Sequence, residues 1–388
     1  RMNIIYLYRS LAAFGGVERI FIDKANYLAE HYGYHVYIIT WEQGGHSIVY
    51  PLSPKVTHVD WGILFYRQYQ YGLFKRMFMQ WKMEKEFFKK LSNFVHTTQA
   101  DIVIGASCEF TTMAGMDLLQ RKTHTILETH SMRTSIEKNN PPAGNLLMRW
   151  AFKRRDKQLH QYIKHMSAFV TLTHNDAKDW SDITPQARII PNMLHRYPAE
   201  ISPDKKTQKR IITAGRLVEQ KGYDLLLDAW SKVHQKQPEW ILDIYGEGED
   251  KTMLLEKRKN LALENSVLFH PPTLDIYQKY MDSDFYVMSS RFEGFGLVLA
   301  EAMSCGIPCV SFDCPHGPSD IIKDYEDGLL VEKENIKELA DKICYLIENE
   351  NVRIKMGHKA RENVKRFLPE NVMPQWKNLF ESLTYSSK

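Results

Sequence analysis

Two glutamates and two glycines in residues 289–306 form the clearest chemical pattern of the sequence. Glu293 and Glu301 stand eight positions apart, and Gly294 and Gly296 lie between them. An apolar, β-prone run precedes these glycines and helix formers follow, which predicts a strand-to-helix turn. The first N–H groups of a helix lack intrahelical partners and attract anions. The pattern predicts a sugar-nucleotide site, in which one carboxylate faces the sugar and the other accepts hydrogen bonds from a ribose diol.

Two cations follow another predicted strand. Arg216 and Lys221 stand five positions apart, with Gly215 and Gly222 beside them, and these glycines allow close approach of the backbone. Fixed cations stabilise the charge that a departing nucleoside diphosphate gains, so we predict that the pair clamps a diphosphate. Ordinary turns with solvated charged side chains remain the alternative at both places, since a short glycine motif alone is weak.

Three further turns follow predicted strands. Gly15 and Gly16 open a helix without the GxGxxG spacing of a dinucleotide site, and we predict that they face an acceptor or a diphosphate. His130 follows a strand and can hydrogen-bond a transferred sugar, although a lone histidine is more often structural. Residues 245–248 are predicted to border the nucleotide. A plain turn is the alternative for both glycine-containing segments.

All these positions lie in a chain that alternates strand-like and helix-like segments. The predicted strands are 3–8, 35–40, 101–106, 124–128 and 168–173, then 210–214, 240–245, 266–269, 285–288 and 308–311. The alternation is typical of doubly wound α/β folds and predicts two Rossmann-like domains, which face a central cleft at the carboxyl ends of their strands. We place the domains at residues 1–192 and 193–367, and expect residues 368–388 to form a helix that returns to the first domain.

Composition narrows the class of protein. With 388 residues, 44% of them hydrophobic, the chain is long enough for two cores. It lacks an apolar run long enough to span a membrane and a signal-peptide pattern, so we expect it to stay in the cytoplasm. Its five cysteines show no paired CxxC spacing, which argues against a disulfide framework or a zinc site.

Basic residues concentrate in the first half, where 24 Lys and Arg face 16 Asp and Glu up to residue 192. Residues 66–90 and 149–164 carry much of this charge. In the first stretch, large apolar residues recur at helical spacing: Phe74, Met77, Phe78, Trp81 and Phe88. We predict either contact with an anionic membrane surface or packing of this stripe on its own domain. No recognised nucleic-acid motif accompanies the charge, which argues against a nucleic-acid partner.

Taken together, the motifs resemble the retaining glycosyltransferases of family 4, and they span nearly the whole chain in the expected order. The most specific of them is the spacing of Glu293 and Glu301. The resemblance implies a GT-B fold and transfer without a metal or another cofactor. It also implies retention by front-face attack, in which the departing diphosphate takes the acceptor proton, so no enzymatic nucleophile is expected and Glu293 is not assigned that role.

The resemblance also implies roles for individual residues. Arg216 and Lys221 would hold the donor diphosphate beside Gly215, Glu301 would bind the ribose, and Glu293 would contact the donor sugar. The donor would also meet main-chain groups of Gly294, Phe295, Gly296 and Leu297. In the first domain, His130 would reach the sugar hydroxyls or anomeric region, and Gly16 would lie beside the diphosphate or acceptor. The groups implied to be catalytic are His130, Arg216, Lys221 and Glu293.

Residues 311–322 and 326–330 resemble bacterial members that build surface polysaccharides, lipid-linked oligosaccharides or glycolipids. A UDP-linked galactose, glucose or N-acetylamino sugar would be the donor, and a lipid-linked saccharide, polysaccharide or glycolipid the acceptor, at the inner face of the plasma membrane. One departure is His270-Pro-Pro272, where the family usually has a glycine. Prolines offer no N–H, so the base must be read by Thr273, Leu274 or carbonyls. The alternatives are an epimerase or phosphorylase of the same fold, and a non-catalytic sugar-nucleotide-binding protein.

Overall fold

The computed structural model describes residues 1–13, 15–120, 122–130, 133, 146–201 and 207–385. The chain divides into two compact units. Unit 1 comprises Arg1–His195 and Val372–Lys388, and unit 2 comprises Arg196–Asn371.

Unit 1 contains a seven-stranded parallel sheet. Its strands are β1 (Asn3–Leu7), β2 (His35–Thr40), β3 (Val56–Asp60), β4 (Ile102–Gly105), β5 (His124–Glu128), β6 (Ala168–Thr171) and β7 (Arg188–Ile189). They lie in the order 3-2-1-4-5-6-7. Strand order reverses between β1 and β4, and in such sheets ligands bind beyond the carboxyl ends of the strands at this point.

Helices and apolar clusters cover both faces of this sheet. The helices are α1 (Gly16–His31), α2 (Leu73–Thr98), α3 (Phe110–Asp117), α4 (Leu146–His165), α5 (His174–Asp179) and, at the end of the chain, α13 (Pro369–Tyr385). The buried residues of α13, among them Trp376 and Phe380, share one core cluster with Ile4 of β1 and Phe21 of α1. This C-terminal helix therefore completes the core of unit 1, although most of it follows unit 2 in sequence.

Unit 2 contains a six-stranded parallel sheet. Its strands are β8 (Arg210–Ala214), β9 (Ile241–Tyr245), β10 (Val267–His270), β11 (Phe285–Met288), β12 (Cys309–Phe312) and β13 (Gly328–Val331). They lie in the order 10-9-8-11-12-13, the arrangement of a Rossmann fold, with the reversal between β8 and β11. The helices are α6 (Tyr223–Lys236), α7 (Lys251–Asn260), α8 (Ile276–Met281), α9 (Leu297–Ser304), α10 (Pro318–Ile321), α11 (Ile336–Glu348) and α12 (Glu350–Asn363).

The two parallel α/β sheets confirm the predicted pair of Rossmann-like domains. The ten predicted strands are all present, because strands buried on both faces read as short, nearly continuous apolar runs. Three strands, β3, the two-residue β7 and β13, were not predicted. β3 lies at a sheet edge and buries only Val56, so its sequence lacks that signal, and β13 begins at Gly328, directly after a polar turn.

Candidate functional site

The two turns that carry most of the predicted site residues follow neighbouring strands of unit 2. β8 pairs with β11, and each strand leads at its carboxyl end into one of these turns. Hydrogen bonds join the turns: Arg291 N donates to Gln220 O at 2.8 Å, and Ser289 Oγ donates to Lys221 O at 3.0 Å. The sheet thus brings together residues that are about 70 positions apart in sequence.

Gly222 permits this close approach. Its φ of +62° lies in the left-handed region, and a Cβ at this position would stand 2.0 Å from the carbonyl oxygen of Ser289. The clash is with backbone, so a side chain could not be accommodated by a change of rotamer. A glycine is therefore required where the first turn packs against the end of β11.

Lys221 and Glu293 form an ion pair at the junction of the two turns. Lys221 Nζ donates to Glu293 Oε1 at 2.7 Å, and Ser290 Oγ donates to the same oxygen at 2.6 Å. Glu293 is only 6% exposed, whereas the ammonium of Lys221 is partly accessible. The arrangement fixes a carboxylate and supplies a cation beside it, which suits a ligand that carries both hydroxyl groups and phosphate.

Arg291 reinforces this junction and was not identified from the sequence. Its guanidinium donates two hydrogen bonds to the carboxylate of Asp224, at 2.8 and 2.7 Å, and a third to the carbonyl of Glu219. Such a bidentate pair is among the most geometrically specific contacts in proteins. No sequence signal indicated it, because Asp224 lies in the first turn of α6 and Arg291 in the turn after β11, 67 positions away.

The main chain of the second turn is held tightly before α9 begins. Gly296 precedes the helix with a φ of +82°. Phe295 is buried and packs edge-on against Phe367, and a Cβ on Gly317 would lie 2.0 Å from the carbonyl oxygen of Phe295. The N–H groups that open α9, from Leu297 onward, therefore start from a rigid turn, as a phosphate-binding helix start requires.

The remaining predicted residues of unit 2 occupy different surroundings. Arg216 is exposed, and among the described residues its guanidinium has no hydrogen-bond or ion-pair partner. Gly215 is half-buried and donates its N–H to Tyr245 O. Glu301 lies half-buried on α9, and after burial its charge is the next cause that raises the pKa of Tyr280. Among the predicted site residues of unit 2, it is Lys221 and Glu293 whose side chains contact each other directly.

In unit 1, Gly16 is the first residue of α1, and the carboxylate of Glu18 lies across the same turn. A Cβ on Gly15 would stand 2.1 Å from Glu18 Oε2, whereas one on Gly16 would meet no atom within 4 Å. Tyr8 donates its hydroxyl hydrogen bond to Glu18 Oε1 at 3.0 Å, and burial together with the charge of Glu18 raises the pKa of Tyr8. An acidic side chain therefore already occupies the positive end of this helix.

His130 follows β5 and belongs to a buried charged cluster. Its Nε2 lies 2.5 Å from Glu128 Oε1, and Lys24 Nζ on α1 donates to the same oxygen. The side chains of Lys24, Glu128 and His130 are 3%, 0% and 4% exposed. Burial alone would raise the pKa of Glu128, but Lys24 and His130 lower it to about 2.

Two cavities open at the carboxyl ends of β1 and β4. One of about 390 Å³ is lined by Tyr8, Glu18 and Ser107, and a larger groove of about 720 Å³ runs towards α2. Arg9 and Glu109 line both. Aromatic, guanidinium and carboxylate side chains dominate the groove: Arg9, Trp41, Glu42, Tyr66, Tyr69, Arg76, Trp81, Glu84, Glu109, Phe110 and Arg155. Flat rings and planar hydrogen-bonding groups are suited to saccharides, and the sequence analysis did not identify this groove.

The beginning of α2 makes little contact with the rest of unit 1. Large exposed apolar side chains cluster around it: Tyr66, Tyr69, Leu73, Phe74, Met77, Phe78 and Trp81. Lys75, Arg76 and Lys85 lie over aromatic rings of the same segment, with their charged groups 3.9–4.2 Å from the ring centres. The apolar side chains of Phe74, Met77, Phe78 and Trp81 therefore do not pack on their own domain, which was one of the two alternatives for this stretch. The buried stripe begins at Met83.

The described residues contain no group of three or more His, Cys, Asp or Glu side chains that could hold a metal ion. Across the same ranges, each helix is too short or too polar for a bilayer span.

Comparison with known proteins agrees with this architecture. Residues 199–363 match the family model described as glycosyl transferases group 1. The chain is 29% identical over 387 residues to an uncharacterized glycosyltransferase of Haemophilus influenzae, covering 97% of this chain and 99% of that one. It is also 36% identical over 188 residues to the amylovoran biosynthesis glycosyltransferase AmsD of Erwinia amylovora. This match covers 48% of this chain and 52% of AmsD, about half of each.

Among solved structures, a TarM variant of S. aureus in complex with fondaparinux, α-GlcNAc-glycerol and UDP superimposes with a TM-score of 0.74. The two chains are 18% identical, and the alignment covers 98% of this chain and 100% of TarM. At this identity the likeness shows the fold, which is the GT-B arrangement of two Rossmann-like domains. The chain therefore has the GT-B fold, and its sequence is similar to bacterial glycosyltransferases.

Proposed function

We propose that the protein transfers a hexose or N-acetylhexosamine, of the galactose or glucose type, from a UDP-sugar to a saccharide acceptor in bacterial envelope glycan synthesis. Unit 2 binds the donor and unit 1 the acceptor, and the transfer retains the anomeric configuration without a metal ion. The observation that carries the proposal is the Lys221–Glu293 pair at the joined ends of β8 and β11. The complex of TarM with UDP supports a uridine donor.

The geometry suggests how each group acts on the donor. The partly accessible ammonium of Lys221 and the exposed guanidinium of Arg216 neutralise the diphosphate, whose negative charge grows as the glycosidic bond breaks. The fixed carboxylate of Glu293 accepts hydrogen bonds from sugar hydroxyls, and Glu301 accepts them from the ribose. The departing diphosphate takes the acceptor proton.

The first experiment measures nucleoside diphosphate release from a panel of UDP- and GDP-sugars, with and without a saccharide acceptor. We expect release from one UDP-hexose or UDP-N-acetylhexosamine, and its loss in Glu301→Ala. Glu256→Ala, an exposed glutamate on α7, is the matched control and should leave release unchanged. Full activity of Glu301→Ala would contradict the assignment, and UDP binding without turnover of any donor would favour a non-catalytic binding protein.

We also propose that the acceptor is lipid-linked and that the protein binds the inner face of the membrane peripherally through α2. The supporting observation is the exposed aromatic and basic surface of residues 66–85. Aromatic rings and cations together favour an anionic interface, and the electrostatic part of such binding is screened by salt.

Sedimentation with phosphatidylglycerol vesicles tests this surface. Binding should fall steeply with salt and should be lost in the double variant Phe74→Ser/Trp81→Ser. Met253→Ser, which removes an exposed apolar side chain from unit 2, should bind as the unchanged protein does. Equal binding of the double variant would show that another surface is responsible, and no binding at low salt would remove the membrane proposal.

A further inference from the structure

His130 is held by a charged cluster whose burial is unusual for a Lys–Glu pair. Lys24 on α1 and Glu128 at the end of β5 are 104 positions apart in sequence, and both side chains are almost completely inaccessible. Taking two charges out of water is costly, and a buried ion pair is often no more stabilising than an apolar pair of similar volume. Stability of the fold is therefore a weak explanation for this pair.

Neighbouring aromatic rings define the position of Lys24 closely. Its ammonium lies 4.2 Å from the centre of the Trp376 ring on α13 and 5.8 Å from that of Tyr6 on β1. Cation–π contacts of this kind strengthen when the groups are desolvated. Because the two rings fix the ammonium of Lys24, they also fix the carboxylate of Glu128 that accepts its hydrogen bond. A third side chain lies against the same carboxylate.

That group is His130. Its Nε2 lies 2.5 Å from Glu128 Oε1, the oxygen that also accepts from Lys24. The carboxylate of Glu128 is ionised at neutral pH, because its pKa is about 2, so it can only accept hydrogen bonds. The angle at Nε2 is not that of a regular hydrogen bond, but two acceptors cannot lie 2.5 Å apart, so in a neutral imidazole the proton is on Nε2. The other ring nitrogen, Nδ1, is buried without a hydrogen-bond partner among the described residues.

We propose that Glu128, whose buried charge Lys24 balances, is a positioning residue that holds His130 in one ring orientation and one tautomer, and so reserves Nδ1 as a hydrogen-bond acceptor for the substrate. The substrate group that fits is a hydroxyl, such as one on the transferred sugar, since a neutral Nδ1 without a proton can only accept. This inference rests on the proposed function for the identity of the ligand. The geometry of the cluster itself does not depend on that function.

A pair of double variants separates positioning from stability. Lys24→Met/Glu128→Gln removes both charges and keeps an oxygen that can accept from Nε2. Lys24→Met/Glu128→Leu removes both charges and the acceptor. Both replace a buried ion pair by neutral side chains of similar size, so we expect similar melting temperatures and unchanged UDP affinity, since UDP binds unit 2.

Turnover should distinguish the two variants. We expect Lys24→Met/Glu128→Gln to keep kcat within a few fold of the unchanged protein, because His130 remains held. Lys24→Met/Glu128→Leu should lose about 100-fold in kcat, the effect typical of a group displaced by about 1 Å, and should match His130→Ala. Equal kcat values of the two double variants, with both folded, would overturn the positioning role.

Nitrogen NMR of ¹⁵N-histidine-labelled protein provides a second test that requires no turnover. His130, assigned by its loss in His130→Ala, should show the Nε2–H tautomer in its neutral form in the unchanged protein. An Nδ1–H tautomer or a mixture would overturn the inference even if the double variants fail to fold. If the tautomer is as expected but no donor is turned over, the proposed function fails while the positioning geometry stands.

Discussion

Glu293→Gln should make the protein bind UDP more tightly, because the substitution releases Lys221 from its ion pair. Glu293 Oε1 accepts hydrogen bonds from Lys221 at 2.7 Å and from Ser290 at 2.6 Å. Glutamine has nearly the same shape and keeps an oxygen for Ser290, but it removes the negative charge. A diphosphate bound at the joined turns would then no longer compete with a carboxylate for the ammonium.

The size of the effect follows from the geometry. Two unit charges about 4 Å apart attract by about 4 kcal/mol at an effective dielectric constant of about 20. Desolvation and loss of side-chain freedom offset most of this, and exposed pairs retain up to about 1 kcal/mol. Because Glu293 is buried and Lys221 only partly accessible, we expect a net coupling of about 1–2 kcal/mol. Its release corresponds to UDP binding that is about 5- to 30-fold tighter.

Isothermal titration calorimetry with UDP measures this directly, at low and at high salt. Ser290→Ala is the matched control, since it removes a hydrogen bond to the same oxygen without changing the charge, and it should alter UDP affinity by less than about twofold. Lys221→Met removes the cation itself and should weaken UDP binding by about 10- to 100-fold, the cost of one hydrogen bond to a charged group. High salt should reduce both differences.

The opposite outcome would refute the reasoning. If folded Glu293→Gln binds UDP no more tightly than the unchanged protein, the carboxylate does not compete with the diphosphate for Lys221. If Lys221→Met binds UDP normally, the ammonium does not contact the diphosphate at all. In either case the pair would have to be interpreted as a structural link between the two turns.

Two further predictions concern stability. Gly222→Ala should destabilise unit 2 by more than about 2 kcal/mol, because it adds left-handed strain and a backbone clash, whereas Gly45→Ala, with open space around its Cβ, should change stability by less than about 1 kcal/mol in thermal unfolding. Burial and the charge of Asp179 raise the pKa of the Asp176 carboxyl to about 7, from an ordinary 3.8. The folded state therefore binds this proton more tightly, so the melting temperature should fall as pH rises from about 4 to about 7 and level off above that, and Asp176→Asn should remove this dependence; a flat profile of the unchanged protein over this range would contradict it.

Local sequence patterns were sufficient for most of the fold. β2, β5, β8 and β11 have the bounds that their apolar runs predicted, because a strand buried on both faces leaves a short, continuous signal. The same reasoning missed β3, which lies at an edge and is mostly polar. The turn glycines could be identified because only glycine readily adopts left-handed backbone, as Gly222 and Gly296 do.

Contacts between distant parts of the chain could not be predicted in this way. The sequence showed Lys221 and Glu293 as separate motifs, and their contact depends on the pairing of β8 with β11. The same is true of Arg291 with Asp224, and no motif indicated Lys24 as a partner of Glu128. Periodicity constrains only neighbours along the chain, whereas these partners are determined by strand order.

The apolar side chains of α2 are a further case in which the sequence predicted a pattern and the tertiary structure decided which residues are buried. The sequence by itself indicated that large apolar side chains from Phe74 to Phe88 recur at helical spacing. Only the tertiary structure decided that the stripe from Met83 to Val95 is buried while Phe74 and Trp81 remain exposed. The physical reason is that the exposed and the buried side chains of α2 are equally apolar in the sequence. Whether each one is buried depends on whether another element of the fold covers it.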